Sequence, residues 1–221
     1  MSLILSVRHF KQQSNWDCGV TCLKMLADFY YHDLKKFEDI LRTYQCNQST
    51  WTIDLLYLVH QMNIQAKFST ITIGCSTMYE DVPYYERLID QDRQRVDKLF
   101  KQERDNIHLQ AIEWNQLKNH LIQYRKPCLV LIDANKLQCC TCRKSTLNWL
   151  IDQILPDNSE SYQGHYVLLI GFTRNEQTEL VRYTDPSKND GFCTATRENF
   201  DLARKAFGTD EDIIFCFDKN Q

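Results

Sequence analysis

The chain has 221 residues, 43% of them hydrophobic and 25% charged, enough apolar material for one sizeable core and too much for a disordered chain. Its net charge of −3 is spread evenly, with basic residues scattered among acidic ones, so no positive face is available for a phosphate backbone and nucleic acid is not an expected partner. No apolar run approaches the ~18–20 residues that cross a bilayer, and no membrane span is expected.

Residues 1–9 hold too short an apolar stretch, with no basic stretch before it, for a secretory signal; the expected location is the cytoplasm, with the nucleus as alternative. In that setting the ten cysteines are expected to be mostly reduced thiols rather than a disulfide framework. One domain over 1–221 is expected.

The first chemical signal is the run Trp16-Asp17-Cys18-Gly19-Val20-Thr21-Cys22-Leu23, where a polar, irregular segment passes into an apolar-periodic helix. A thiol in the first turn of a helix faces unpaired N–H groups and the positive end of the dipole, both of which favour thiolate. Taken alone, the same residue reads as a small buried thiol. From Cys18, the residues Cys22, Met25, Leu26, Phe29 and Tyr30 recur at helical spacing and predict a helix ending near His32, with Cys22 in the core. A second helix is predicted over 34–44. Ser49-Thr50 reads as the cap of a third, carried by Ile53, Leu55, Leu56, Leu58 and Val59, and Trp51-Thr52-Ile53-Asp54 is either its first turn or a cleft wall.

Residues 74–106 are strongly charged, with Leu88, Ile89, Val96, Leu99 and Phe100 at helical spacing, and read as a helical insertion on the surface. Its charges are a solvated helix face, a lid over the cleft, or, around residues 87–101, a docking surface for a protein partner. A further helix through Trp114, Leu117, Leu121 and Ile122 ends before Pro127, after which Cys128-Leu129-Val130-Leu131-Ile132-Asp133 reads as a buried strand. Residues 165–172 and 179–185 read as a hairpin around a polar turn at 173–178, and Ile213-Ile214-Phe215-Cys216-Phe217 as the strand that closes the sheet. A helical first half packed on an antiparallel sheet indicates an α+β fold with a cleft between the parts.

Cys139-Cys140-Thr141-Cys142 brings thiols close enough for zinc or for thiol exchange. A structural zinc site wants four ligands, and neither a second CxxC nor a His pair lies nearby. Cys139, Cys140 and Cys142 are therefore expected as loop thiols without metal, a contribution from Cys193 or another distant cysteine staying open. His9, His32, His60, His108 and His120 carry no motif and read as surface or core residues.

A thiol hydrolase needs a thiolate, an imidazole, a group that orients the imidazole, and donors for an oxyanion. Cys18 at a helix start, His165 at a strand start after Gly164, Asp185 at the end of the next strand before Pro186, and Gln12 upstream of the thiol supply one candidate each. The segments DCGVTCLKM, QGHYVLLIGF and YTDPS resemble those of the C39-like branch of papain-like cysteine peptidases. SNWDCGVTC, STWTIDLLYLVH, YQGHYVLLIGF and FGTDEDIIF together resemble the guanylylate cyclase family over nearly the whole chain, least over the insertion and the cysteine-rich stretch after Lys136. The resemblance implies a papain-like fold with Cys18 as nucleophile, His165 as base, Asp185 orienting His165 through Nδ1, and Gln12 with the Cys18 N–H as oxyanion donors. Gln13 leaves a one-residue ambiguity, and Gln12 is favoured because its spacing to Cys18 matches papain-like enzymes.

The leading expectation is a cysteine peptidase working through an acyl-enzyme on a peptide or protein substrate, with no cofactor and no metal. The family name implies instead a guanylyl cyclase. Cyclising GTP calls for metal-bound carboxylates and basic phosphate donors, yet no Gly-rich phosphate loop is present and Asp210-Glu211-Asp212 is the only compact acidic group. A non-catalytic interaction module on the same fold is the third reading.

Overall fold

A computed structural model describes residues 2–44, 49–74, 83–142, 162–174, 178–189 and 191–218, the side chains of 83–91 excepted. The strands are β1 (Leu3–Ile4), β2 (Gln65–Thr70), β3 (Ile107–Leu109), β4 (Cys128–Asp133), β5 (Gly164–Arg174), β6 (Glu179–Thr184), β7 (Cys193–Thr196) and β8 (Ile213–Phe217). The helices are α1 (Cys18–Tyr31), α2 (Lys35–Thr43), α3 (Thr52–Gln61), α4 (Pro83–Gln102), α5 (Trp114–Tyr124) and α6 (Arg197–Arg204). No helix among the described residues is long and apolar enough to cross a membrane.

The strands form one sheet in the order β3-β2-β8-β4-β5-β6-β7, with β1 paired on β5. All neighbours are antiparallel except β2 with β3, which are parallel. This α+β architecture is the one expected, with two corrections. Ile213–Phe217 does not close the sheet: β8 lies between β2 and β4, the middle of the layer. Nor is the first half purely helical, because β2 and β3 come from it. β2 alternates exposed Gln65 and Lys67 with buried Ala66 and Phe68, a period of two that marks a half-covered strand.

β4 is buried along its whole length between β8 and β5, which is why it reads as an unbroken apolar run. α1 crosses β5 and α3 on one face, with Cys22, Leu23, Met25 and Leu26 fully buried. Gly19 permits this approach, since a Cβ there would meet Leu55 Cδ1 at 2.7 Å and Tyr166 Cδ2 at 3.0 Å. The helix ends where His32 turns to a left-handed φ of 52° and its N–H bonds the Asp28 carbonyl. At Gly171 the β5 backbone bulges, and a Cβ would lie 2.1 Å from the Leu3 carbonyl oxygen, so only glycine lets β1 lie down there.

α3 starts at Thr52, and its first turn is capped by Asp54, whose Oδ2 accepts from the Trp51 N–H at 2.9 Å, rather than by Ser49 or Thr50. The charged segment over 74–106 contributes α4, which packs on α3 with Val96 and Leu99 buried. Its described charges are not all on a solvated face. Arg95 pairs with Asp54, which is fully buried, and with Asp92 at 2.8 Å, while Trp51 Nε1 donates to Asp92 at 3.0 Å. Leu88 and Ile89, and the turn at 175–177, lie outside the described side chains and residues.

Candidate active site

The loop before α1 is built by Asp17. Its carboxylate does not cap its own helix but accepts from the Gln13 and Ser14 N–H groups, each at 3.0 Å. That pins the turn just upstream of Cys18 and leaves the first-turn N–H groups of α1, including that of Cys18, without intrahelical partners. The Cys18 thiol is buried to all but 7% at the start of the helix.

β5 carries His165 and β6 delivers Asp185 beside it. His165 Nε2 and Asp185 Oδ1 are 2.7 Å apart. The ring is therefore turned opposite to the expectation: Nε2, not Nδ1, meets the carboxylate, and Nδ1 is the nitrogen left for Cys18. Burial disfavours charge on His165, but its bonds to Asp185 and Cys18 outweigh burial and lift its pKa from 6.5 to about 9. Burial likewise opposes charge on Asp185, yet His165 and Ser187 hold its carboxyl below the usual range. Cys22, one helical turn on, is pushed well up by burial and by the negative charges of Cys18 and Asp185, so it stays a core thiol, as expected.

Two residues that sequence reasoning passed over hold Asp185. Ser187 donates to Oδ1 from its N–H at 2.9 Å and its hydroxyl at 2.7 Å. His9 Nε2 lies 2.9 Å from the Asp185 carbonyl oxygen. The Gln12 N–H bonds the Pro186 carbonyl at 2.9 Å, so the segment entering the Cys18 loop is strapped across the turn that carries Asp185. The Asp-Pro-Ser sequence was a readable sign of the Ser187 contact, because Ser two residues after Asp commonly closes such a turn. His9 gave none, lying 176 positions from its partner.

Gln12 is half-buried, whereas Gln13 is exposed. One Nε2 hydrogen of Gln12 is committed to the Ser14 carbonyl at 2.7 Å, leaving its second N–H available.

Beside Cys18 opens a cavity of about 80 Å³ whose walls include Trp16, Trp51, Thr52, Tyr166, Asp210 and Asp212. Of Trp51-Thr52-Ile53-Asp54, a helix start, Trp51 and Thr52 thus also form a cleft wall, while Ile53 and Asp54 are buried. Thr52 Oγ1 sits between the Tyr166 hydroxyl, 2.8 Å away, and Asp212, to which it donates. Burial, helped by the neighbouring Asp210 charge, pushes the Asp212 carboxyl well above its ordinary range. Asp210 and Glu211 both adopt left-handed φ, 49° and 52°, so the acidic turn is a tightly bent rim rather than an open loop.

Among the described residues, the one group of His, Cys, Asp or Glu close enough to share an ion is Cys139, Cys142 and Cys193, outside this cleft. Hydrogen bonds from Cys142, Thr141 and Thr194 outweigh burial and bring Cys139 down to about 6, while burial raises Cys142 to about 11.

The His165–Asp185 pair carries a pH signature. A histidine whose folded pKa is raised adds stability that is complete below its unfolded value of 6.5 and disappears as pH rises through about 9. The lowered Asp185 works the other way, its share being lost as pH falls through its depressed folded value. Between pH 6.5 and 9 the protein is expected to lose up to about 3 kcal/mol through His165, whose bonds to Asp185 and Cys18 both contribute. Asp185→Asn should reduce that slope; equal pH slopes in denaturant unfolding of the two proteins would contradict the assignment.

The sequence profile described as guanylylate cyclase matches residues 7–216. The curated protein "Guanylyl cyclase 1" of Arabidopsis thaliana is 28% identical over 213 residues, 95% of this chain and 75% of that protein. Among solved structures, a putative C39-like peptidase from Bacillus anthracis superposes with a TM-score of 0.50 at 14% identity, covering 100% of both chains. The digestive procathepsin L 3 of Tenebrio molitor larval midgut gives a TM-score of 0.47 at 14% identity over 98% of this chain and 69% of its own. At that identity the likeness to the C39-like peptidase concerns fold alone, a papain-like one.

Proposed function

The chain belongs to the guanylylate cyclase family, and within it we propose that this protein is a papain-like thiol hydrolase acting on a peptide or isopeptide carbonyl, with Cys18 as nucleophile. The observation that carries this reading is the Cys18, His165, Asp185 line: a thiol in the first turn of α1 beside an imidazole whose far nitrogen is 2.7 Å from a carboxylate.

In the first half-reaction the Cys18 sulfur attacks the carbonyl carbon, and the oxygen becomes an oxyanion held by the Cys18 N–H and the second Nε2 hydrogen of Gln12. His165 then gives its Nδ1 proton to the leaving amine as the C–N bond breaks, leaving a thioester on Cys18. In the second, His165 Nδ1 takes a proton from water, whose oxygen attacks the thioester; the C–S bond breaks, the acid product departs and gives its remaining proton to solvent, and thiolate and imidazolium are restored. Asp185 keeps the ring aimed and stabilises its charge throughout, and Ser187 and His9 fix Asp185.

The guanylyl cyclase reading has its own support: the family description, the relative's name, and the placement of Asp210 and Asp212 in the same cavity. Its physical difficulty is charge. No lysine or arginine lines that cavity among the described residues, so a triphosphate would meet two carboxylates without a cation. Asp212 is, besides, buried and engaged with Thr52.

One pair of experiments separates the readings. A peptidyl fluoromethyl ketone should alkylate Cys18 selectively, seen as a single adduct by peptide mass spectrometry and absent in Cys18→Ala. Adducts spread evenly over the cysteines, or none, would remove the hydrolase reading. Metal-dependent cyclic GMP formed from GTP by Cys18→Ala, and lost on neutralising Asp210 or Asp212, would establish the cyclase in its place.

A further inference from the structure

We propose that Cys139, Cys142 and Cys193 form a binding site for a zinc ion, which clamps the turn carrying Asp185 to the loop that follows β4. Their sulfur atoms lie within 4.8 Å of one another, with Cys142 and Cys193 3.4 Å apart, and all three are free thiols. Tetrahedral zinc with Zn–S bonds of ~2.3 Å holds its sulfurs about 3.8 Å apart. The cluster therefore needs adjustments of an ångström or less to take the ion.

The surrounding contacts prepare Cys139 Sγ as a ligand. The Cys142 N–H points at Cys139 Sγ at 3.2 Å, and the Thr141 hydroxyl is 3.2 Å from the same sulfur, so local dipoles favour thiolate there. The loop holding Cys139 is anchored independently of any metal: Cys140 N–H to the Thr194 carbonyl at 2.6 Å, Gln138 N–H to Asn199 Oδ1 at 2.7 Å, and Asn199 Nδ2 to the Lys136 carbonyl at 2.9 Å. A ligand set pre-positioned by its neighbours loses little entropy on binding. Cys193 is fully buried and the other two are half-buried, so solvent reaches the cluster from the side of Cys139 and Cys142, and a water would supply the fourth ligand that three cysteines leave open. Soft thiolate ligands select zinc over magnesium or calcium.

The location gives the ion a role. Cys193 opens β7 directly opposite Tyr183 on β6, two residues before Asp185. The connection between β6 and β7 begins with the Asp185 turn and ends at Cys193, so an ion shared with Cys139 and Cys142 ties that connection to the β4 loop. This inference stands on the thiol cluster alone and survives whether or not Cys18 is a nucleophile.

The test uses the whole chain, reduced and freed of metal by a chelator, and titrated with zinc or cobalt alone. One zinc per chain, a rise in Tm, and cobalt spectra with thiolate charge-transfer bands and tetrahedral d–d bands are expected. Cys142→Ser and Cys193→Ser should each weaken binding by at least the ~10–100-fold that losing an outer-shell partner costs. Cys140→Ser and Cys18→Ala should bind as the parent does. Because Cys193 is buried, Cys193→Ser counts only with an unchanged far-ultraviolet circular dichroism spectrum, and half-buried Cys142→Ser decides the matter otherwise. No stoichiometric binding by the parent protein, unchanged binding by Cys142→Ser, or binding lost in Cys18→Ala would each overturn the proposal.

Discussion

Arg95→Ala is expected to lower the unfolding free energy by about 3–5 kcal/mol, the usual cost of stranding one partner of a buried ion pair. The guanidinium bridges Asp54, Asp92 and the Ser49 carbonyl, and Asp54 has no solvent exposure at all. Burial pushes the Asp54 carboxyl up; Arg95 is the main force opposing it. Without Arg95 the carboxyl is expected to take a proton in the folded state, so its folded pKa rises further above the unfolded one. A carboxyl shifted that way loses stability as pH rises through its folded pKa, and the deficit of the variant should be larger at pH 8 than at pH 5. Urea unfolding at the two pH values checks this; a loss under ~1 kcal/mol, the range of exposed pairs, would mean the pair is solvated.

The effect should reach the cleft, because Ser49 and Trp51 line the cavity beside Cys18 and are held by this same network. α4 thereby acts as a buttress for one wall of the site. That function was hidden by its composition: a helix with so many charges has the pattern of a solvated face, and nothing in the local sequence distinguishes Asp92 and Arg95 from their neighbours. The partner they reach, Asp54, lies 41 positions away from Arg95.

Much of the fold was legible where a local period exists. The stripe of α1, the unbroken run of β4 and the β5–β6 hairpin are set by apolar spacing over a few residues, and they stand where spacing placed them. The central position of β8 was not, since which strands flank Ile213–Phe217 depends on pairings with residues 65–69 and 128–130, contacts of long sequence separation. Short elements such as β7 and α6 offer too few residues for a period to emerge. In the site, the helix start at Cys18 and the strand positions of His165 and Asp185 were readable, but the choice of ring nitrogen was not. It follows from the pleat of β5 and the hydrogen bonds that fix Asp185 from His9 and Ser187. The thiol cluster needed the fold for the same reason, Cys193 being 51 positions from Cys142.

The second large effect concerns His165→Ala, which should slow alkylation of Cys18 at pH 6 by about tenfold or more. An unassisted thiol with pKa ~8.5 is under ~1% thiolate at that pH, and the variant loses the imidazole that is hydrogen-bonded to the sulfur. The expected difference is no larger because a thiolate stabilised by a partner is also a weaker nucleophile, with a Brønsted slope of about 0.4–0.5. His165 is suited to this role because its lifted pKa of about 9 keeps it protonated through neutral pH. Asp185→Asn should fall between the parent and His165→Ala, since it weakens the hydrogen bond and removes one of the charges that lift His165 while leaving the ring in place.

The rate of Cys18 alkylation by iodoacetamide, resolved by peptide mass spectrometry from pH 5 to 9 in the parent protein and in His165→Ala, tests the Cys18–His165 pair most directly. The paired site predicts a rate that stays high below pH 7 in the parent and falls with acid as an ordinary thiol does in the variant. Superimposable profiles, both rising only toward pH 8.5 as free thiols do, would contradict it.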